Sequence, residues 1–320
     1  MKVLITRQIP AAGIRLLKEH SELELDYRQG PPLSKEELKE AIKEADAIIP
    51  VIPDKIDEEV ITAGKKLKLI ATYSVGYDHI DLEAAEKKGI YVSNTPGDLT
   101  ESVAEHTIAL MLAVGKNIVS SDKYTRKGNY NYWDPMIFLG PKFMGKTLGI
   151  VGFGRIGQSV ADIARDGFNM RIVYSDVVKH VNKGAEMLPL DELLETSDIV
   201  SLNCNLTEKT HHLIDEPQLR KMKPTAILIN TARGSVIKEK ALIRALQEKW
   251  IEGAGLDVFE QEPEVPQELR ELENVVLTPH IASATREARI QMATMAAKNV
   301  IEVLVNNKEP INQVKMRAVK

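Results

Sequence analysis

Three short clusters of residues carry side chains that would suit one reaction if the fold brought them together. They are Asn230-Thr231-Ala232-Arg233-Gly234, then Gly255-Leu256-Asp257-Val258-Phe259-Glu260-Gln261-Glu262-Pro263, then Leu277-Thr278-Pro279-His280-Ile281-Ala282-Ser283-Ala284-Thr285. Each contains or follows an apolar run of strand length, and open α/β sheets place their ligands at the carboxyl ends of strands. An arginine there holds a carboxylate or carbonyl with its planar fork. A histidine hands a proton to an oxygen as hydride reaches the adjacent carbon. A glutamate beside that histidine favours the imidazolium and fixes its orientation. Arg233, Glu262 and His280 are the candidate catalytic residues, and the chemistry they suit is reduction of a ketone beside a carboxylate. Singly, each has a plainer reading: Arg233 as a surface arginine after a strand, His280 as a histidine at a helix start after Pro279.

A second signal concerns a nucleotide. Gly152-Phe153-Gly154-Arg155-Ile156-Gly157 matches G-x-G-x-x-G, with the strand-like 148–151 before it and a helical pattern over 156–165 after it. Gly152 suits the tight turn, Gly154 the close approach of a pyrophosphate and Gly157 close packing of helix on strand. The phosphates would sit at the helix N-terminus, where unpaired N–H groups and the dipole favour anions. The next strand ends in Asp176, whose carboxylate can accept both ribose hydroxyls of NAD and would repel the 2′-phosphate of NADP. Val177 and Val178 stand where an NADP enzyme would want basic residues, although Lys179 follows. The plainer reading is a glycine-rich turn with a solvated aspartate. The expected cofactor is NAD(H), preferred over NADP(H).

These residues need parallel sheets to position them. Strand-length apolar runs alternate with helix-period segments along nearly all of the chain, at 3–6, 23–27, 47–51, 67–74 and 90–93, then 148–151, 171–175, 199–202, 226–230, 255–258 and 275–277. Helices are expected at 34–45, with a capping box from Ser34 and Glu37, and at 156–165, 190–196, 216–221, 238–249 and 285–305. Residues 100–119 read as one long apolar helix and 123–141 as a long loop. The chain has 320 residues with a net charge of −4, is 43% hydrophobic and 28% charged, and contains one cysteine, Cys204. That balance offers nothing to nucleic acid or acidic membranes. The start of the chain runs into a strand rather than a signal peptide, and no apolar run approaches a membrane span. A lone cysteine excludes an intrachain disulfide and a cysteine-rich metal site. Cys204 reads as a packing thiol. His211 and His212 are expected to point apart, and His20, His79, His106 and His180 lack metal-site spacing, so no metal is expected. The expected location is the cytoplasm.

On these motifs the chain resembles the D-isomer-specific 2-hydroxyacid dehydrogenase family over nearly its whole length. Ile5-Thr6-Arg7-Gln8-Ile9-Pro10 and Trp133-Asp134-Pro135-Met136 look most like its glyoxylate/hydroxypyruvate reductases. The resemblance implies two Rossmann/flavodoxin-like, doubly wound parallel-sheet domains with an interdomain cleft. The substrate-binding domain would be discontinuous, residues 1–98 plus 292–320, and the NAD-binding Rossmann domain would be 99–291. It implies Arg233, Glu262 and His280 as the catalytic trio, with Arg233 and the amides of Val75 and Gly76 holding the acid. Arg155, Ile156, Asp176, Cys204, Asn205, Thr210, Thr231, Ala232, Asp257 and His280 join the three glycines as cofactor contacts, Asp257 facing the nicotinamide amide. Asn203-Cys204-Asn205-Leu206-Thr207 departs from the family's usual His-x-Pro-Leu-Thr, which bears on Cys204, Asn205 and Thr210. The implied partners are a small 2-keto or 2-hydroxy acid and a second copy in a homodimer, with residues 100–119 favoured as its seam. Trp133 either packs the long loop or closes over the substrate from the neighbouring subunit. D-lactate and 3-phosphoglycerate dehydrogenases of the family, and an NAD(H)-sensing corepressor-like protein, stand as alternatives. Glu262 argues against a formate-type enzyme.

Overall fold

The structure, a computed structural model, describes residues 1–97, 99–180 and 184–315. The expected boundary at residue 98 and the end of the expected tail, 316–320, lie outside the described residues. The chain divides into two compact units, Met1–Leu99 with Ala284–Lys320, and Thr100–Ser283.

The discontinuous unit alternates strand and helix: β1 (Lys2–Ile5), α1 (Ala11–Lys18), β2 (Glu24–Tyr27), α2 (Lys35–Ile42), β3 (Ala47–Ile49), α3 (Glu58–Ala63), β4 (Leu69–Ala71), α4 (Leu82–Lys87) and β5 (Tyr91–Ser93). The strands form a parallel sheet of order β2-β1-β3-β4-β5. Its apolar runs are unbroken because both faces are covered. Val3, Ile5, Ala47, Ile49, Leu69 and Ala71 point into one core. Leu4, Ile48, Ile70 and Val92, the residues between them, point into the other. The capping box at α2 is present as expected, with the Ser34 side chain accepting from Glu37 N–H and Glu37 reaching back to Ser34 N–H.

The second unit opens with α5 (Leu99–Gly115) and α6 (Ile118–Arg126). It continues through β6 (Thr147–Val151), α7 (Arg155–Phe168), β7 (Arg171–Ser175), β8 (Ala185–Met187), α8 (Leu190–Thr196), β9 (Ile199–Leu202), α9 (Glu216–Leu219), β10 (Ile227–Asn230), a 3-10 turn (Gly234–Val236), α10 (Glu239–Gln247), β11 (Gly253–Leu256), α11 (Gln267–Arg270) and β12 (Val275–Leu277). A final helix, α12 (Arg286–Leu304), belongs to the first unit, where a side chain on Gly13 of α1 would meet the Ala293 carbonyl at 2.5 Å. The seven strands form a parallel sheet of order β12-β11-β10-β9-β6-β7-β8. Again alternate residues serve opposite cores: Val151, Val200 and Leu228 on one side, Leu148, Ile199 and Ile227 on the other.

Three expectations change here. The helix expected over 100–119 stops at Gly115 and restarts at Ile118, because Asn117 adopts a left-handed φ of 53°. The loop expected over 123–141 begins later, since Lys123–Arg126 complete the last turn of α6, where Arg126 Nε pairs with Asp122 at 2.8 Å. The favoured seam on α5 is internal: Ala104, Ile108, Leu110 and Met111 belong to the core of their own unit. Among the described residues no helix is long and apolar enough to cross a membrane.

Candidate active site

In a doubly wound sheet, ligands bind where the strand order reverses. In the seven-stranded sheet that point lies between β6 and β9. After β6 the chain turns through Gly152, φ 89°, and a side chain there would lie 2.6 Å from the backbone of Cys204 on the loop after β9. A side chain on Gly157 would lie 2.4 Å from the Gly152 carbonyl. On Gly154, the N-cap of α7, it would meet nothing within 4 Å. The outer glycines therefore serve the fold. The middle one keeps a space open in front of the first N–H groups of α7, which have no intrahelical partners. That cradle fits a pyrophosphate, with Arg155 and Ile156 opening the helix.

Asp176 follows β7 and is held by backbone on both oxygens. Oδ2 accepts Phe153 N–H at 2.6 Å from the glycine turn, and Oδ1 accepts Val178 N–H at 3.1 Å. The carboxylate is thus fixed beside the phosphate cradle, where a ribose would lie. On the loop after β9, Thr210 Oγ1 donates to the Asn205 carbonyl at 2.6 Å and accepts Thr207 N–H at 2.7 Å. The hydroxyl stiffens a loop that has Asn205 where the family has proline. Burial pushes the Cys204 thiol up to about 11, consistent with a packing thiol.

The structure brings together the histidine and the glutamate of the expected trio. His280 Nδ1 lies 2.8 Å from Glu262 Oε2, and Glu262 Oε1 accepts Phe259 N–H at 3.0 Å. A carboxylate only accepts, so Nδ1 carries a hydrogen and Nε2 is left to face a substrate. His280 has a left-handed φ of 54°, sparsely populated by non-glycine residues, and its surroundings impose it. His280 N–H donates to the carbonyls of Asp257 and Thr278. The Asp257 carboxylate accepts Ile281 N–H and Ala282 N–H, both at 2.8 Å, and Thr278 Oγ1–H at 2.6 Å. Burial alone would raise its pKa, but these donors and His106 more than offset it and hold the carboxyl below its ordinary value. The Asp257 side chain is fully enclosed, so here it anchors the turn that carries His280 rather than facing outward to a nicotinamide.

Arg233 lies at the end of β10, next to β11. Asn230 donates to the Arg233 carbonyl at 2.9 Å and accepts Ala232 N–H at 3.0 Å, and Thr231 Oγ1 meets Thr107 Oγ1 of α5 at 2.9 Å. The backbone at Gly234 touches the loop that carries Glu262: a side chain there would lie 1.9 Å from the Phe259 carbonyl. Val75 and Gly76 belong to the other unit, on the loop after β4. Asn94 Nδ2 holds the Val75 carbonyl at 2.8 Å and Ser74 Oγ the Gly76 carbonyl at 2.6 Å. Among the described residues no acceptor engages the N–H of either residue, which suits them to an incoming carboxylate.

Several histidines do more than their spacing suggested. His106 of α5 meets Thr278 Oγ1 at 3.1 Å and lies 3.5 Å from Asp257, buttressing the turn that carries His280. His211 and His212 do not point apart: the rings lie 3.9 Å between centroids, because His212 has a left-handed φ of 52°. His212 Nε2 also holds Glu260 at 2.8 Å, and Glu260 caps the start of α10 at Glu239 N–H. His180 lies 3.5 Å from Asp176. Only the i,i+4 step from Asp176 to His180 was available as a local signal. The described residues contain no cluster of three or more metal-ligating side chains.

Residues 108–282 match the family described as D-isomer specific 2-hydroxyacid dehydrogenase, NAD binding domain. A glyoxylate reductase from Korarchaeum cryptofilum is 51% identical over 306 residues, covering 94% of this chain and 92% of that protein. Among solved structures, the TT0316 protein from Thermus thermophilus superposes with a TM-score of 0.93 at 45% identity, covering 98% of this chain and all of that one. An acyclic imino acid reductase solved with NADPH and D-arginine has a TM-score of 0.86 at 33% identity, covering 98% of this chain and 100% of that one. With these similarities spanning both units, the chain belongs to the D-isomer-specific 2-hydroxyacid dehydrogenase family, the NAD-dependent oxidoreductases of 2-hydroxy acids.

Proposed function

We propose that the protein reduces a small 2-keto acid, glyoxylate or hydroxypyruvate, to the 2-hydroxy acid with NADH in preference to NADPH. The observation that carries this reading is the His280–Glu262 pair at 2.8 Å, a proton donor held in one tautomer in the same unit as a dinucleotide cradle. A bound nicotinamide supplies the hydride to the keto carbon. The amides of Val75 and Gly76, with the Arg233 guanidinium, hold the carboxylate and orient the carbonyl. His280 Nε2 delivers a proton to the carbonyl oxygen, and Glu262 stabilises the imidazolium before transfer and keeps the ring aimed afterwards. Oxidation of the hydroxy acid reverses these roles. In this reading Thr100–Ser283 is the nucleotide-binding unit and the discontinuous unit binds the acid.

The working form is a homodimer in the cytoplasm, where nicotinamide nucleotides are found. Its contact is the segment after α6, where Tyr132, Trp133, Met136 and Leu139 are exposed, Trp133 by 75%. Side chains of this size in one stretch mark a surface that a partner covers.

The test is loss of NADH absorbance with glyoxylate, hydroxypyruvate and pyruvate offered separately, each repeated with NADPH. Rapid turnover of glyoxylate or hydroxypyruvate with NADH supports the proposal. A preference for NADPH overturns the role given to Asp176 and leaves the acid–base pair standing. Silence with all three acids, despite tight NADH binding, favours a sensor-like binding protein.

A further inference from the structure

Beside Asp176 stands an imidazole that neither proton transfer nor the catalytic turn uses. His180 Nε2 is 3.5 Å from Asp176 Oδ2. The residue is fixed on several sides. Its N–H donates to Tyr174 Oη at 3.0 Å, and its carbonyl accepts the same hydroxyl at 3.2 Å. Its ring lies edge-on to Phe153 and Tyr174, at centroid distances of 5.8 and 6.2 Å, and those two rings stack at 4.1 Å. The glycine turn, the end of β7 and the imidazole therefore form one packed block around a carboxylate that two backbone amides keep from swinging away.

A carboxylate fixed in that way disfavours a second negative charge on the ribose unless its own charge is balanced. The ionisable groups on the surrounding elements include Arg155 on α7 and Lys179 on the same loop. They also include the Tyr174 hydroxyl on β7 and the Cys204 thiol after β9, which burial pushes up to about 11. Among side chains, histidine is the one whose ordinary charge change falls between pH 5 and 8.

We propose that His180 is a specificity-determining residue: protonated, it balances Asp176 and admits the 2′-phosphate of NADPH; neutral, it leaves Asp176 to exclude it. The preference for NADH over NADPH then weakens as pH falls through the imidazole range. This rests on Asp176 being the ribose-binding residue, as read above.

The experiment is calorimetric binding of NADH and of NADPH to the enzyme without keto acid, at about pH 5.5 and pH 8, the limits of the imidazole range. The 2′-phosphate itself takes up a proton near pH 6, and His180→Gln retains that contribution while removing the imidazole. The expected result is that the ratio of NADPH to NADH dissociation constants falls about fivefold more in the wild type than in His180→Gln. Equal pH dependence in the two proteins overturns the proposal. Asp176→Asn separates the two layers: if it leaves the ratio unchanged at both pH values, the ribose assignment fails and the proposal fails with it. If it collapses the ratio while His180→Gln changes nothing, only the role of His180 fails. A readout on the native block is the NMR titration of His180 without nucleotide, whose curve should differ between the wild type and Asp176→Asn. Coincident titration curves overturn the proposal.

Discussion

In the five-stranded sheet the carboxyl ends of the strands are largely tied back into their own backbone. Thr6 Oγ1 donates to the buried Asp54, whose carboxylate also accepts Val51 N–H at 2.9 Å, while Asn94 and Ser74 hold the carbonyls of Val75 and Gly76. In the seven-stranded sheet the same ends carry an open glycine turn, a fixed carboxylate, an arginine and an imidazole–glutamate pair. Both sheets send alternate strand residues into two cores, so their internal packing physics is the same. The difference teaches that the chemistry resides in which polar groups the loops leave unspent. One unit leaves neutral N–H groups that can hold an anion; the other leaves groups that can move a proton.

That division can be broken by experiment. The largest effect belongs to His280→Ala, expected to lower kcat by about 10²–10⁴-fold. Asn94→Ala, which frees the Val75 carbonyl in the other unit, should instead raise KM for the keto acid with kcat nearly kept, the sign of lost uniform binding. Steady-state kinetics of the pair decides: similar losses of kcat would erase the distinction.

Acid should separate the units next. Asp198, Asp257 and Glu260 in Thr100–Ser283 are partly or wholly buried with pKa values held below the ordinary carboxylate range. For Asp257 burial opposes the shift, and the hydrogen bonds from His106, Thr278, Ile281 and Ala282 outweigh it. A carboxyl depressed in the folded state adds stability above its unfolded pKa, near 4, and that stability is lost as pH falls through the folded value. The lowered carboxyls of the other unit, Glu37, Glu44, Asp57 and Glu59, lie at its surface, where such pairs contribute little. Hydrogen exchange between pH 5 and 3, corrected for intrinsic rates, should therefore show protection lost first in residues 100–283. Simultaneous loss would contradict this.

Two glycines give a smaller and sharper contrast within the nucleotide unit. Gly234→Ala puts a methyl group into the Phe259 carbonyl and should cost about 1–3 kcal/mol of stability. Gly154→Ala meets nothing, so its melting temperature should stay near that of the wild type while NADH binding weakens. Smallest of all, Cys204 should alkylate far more slowly at neutral pH than a free thiol, as its raised pKa requires.

Much of this was legible because the relevant forces are local. The strand runs announced buried parallel sheets, Ser34 and Glu37 announced a helix start, and the glycine spacing announced the tight turn from β6 into α7. The break at Asn117 had a local signal too, a glycine two residues earlier and an asparagine suited to left-handed backbone, but the apolar run around it read as continuous helix. Strand β8 escaped because it is mostly exposed, so its residues show no core-facing pattern. The contacts of His106 could not be read at all, since its partner Thr278 is distant in the chain and only the fold joins them. Likewise, the enclosed position of Asp257 follows from four donors on two segments distant in the chain, α5 and residues 278–282.

The late return of α12 to the first unit has a consequence for synthesis. Residues 1–99 leave the ribosome first, yet the core beneath β1, β3 and β4 is closed by Ala288, Met292, Ala293, Ala296, Ala297 and Val300 of the last helix. At about 5–20 residues per second, the nascent chain waits roughly 10–40 s for that cover. The unit translated second, being continuous, can complete first. During the interval the apolar sides of Ile14, Leu17 and Leu69 remain uncovered, which makes the amino-terminal third the segment that a chaperone would meet on the growing chain.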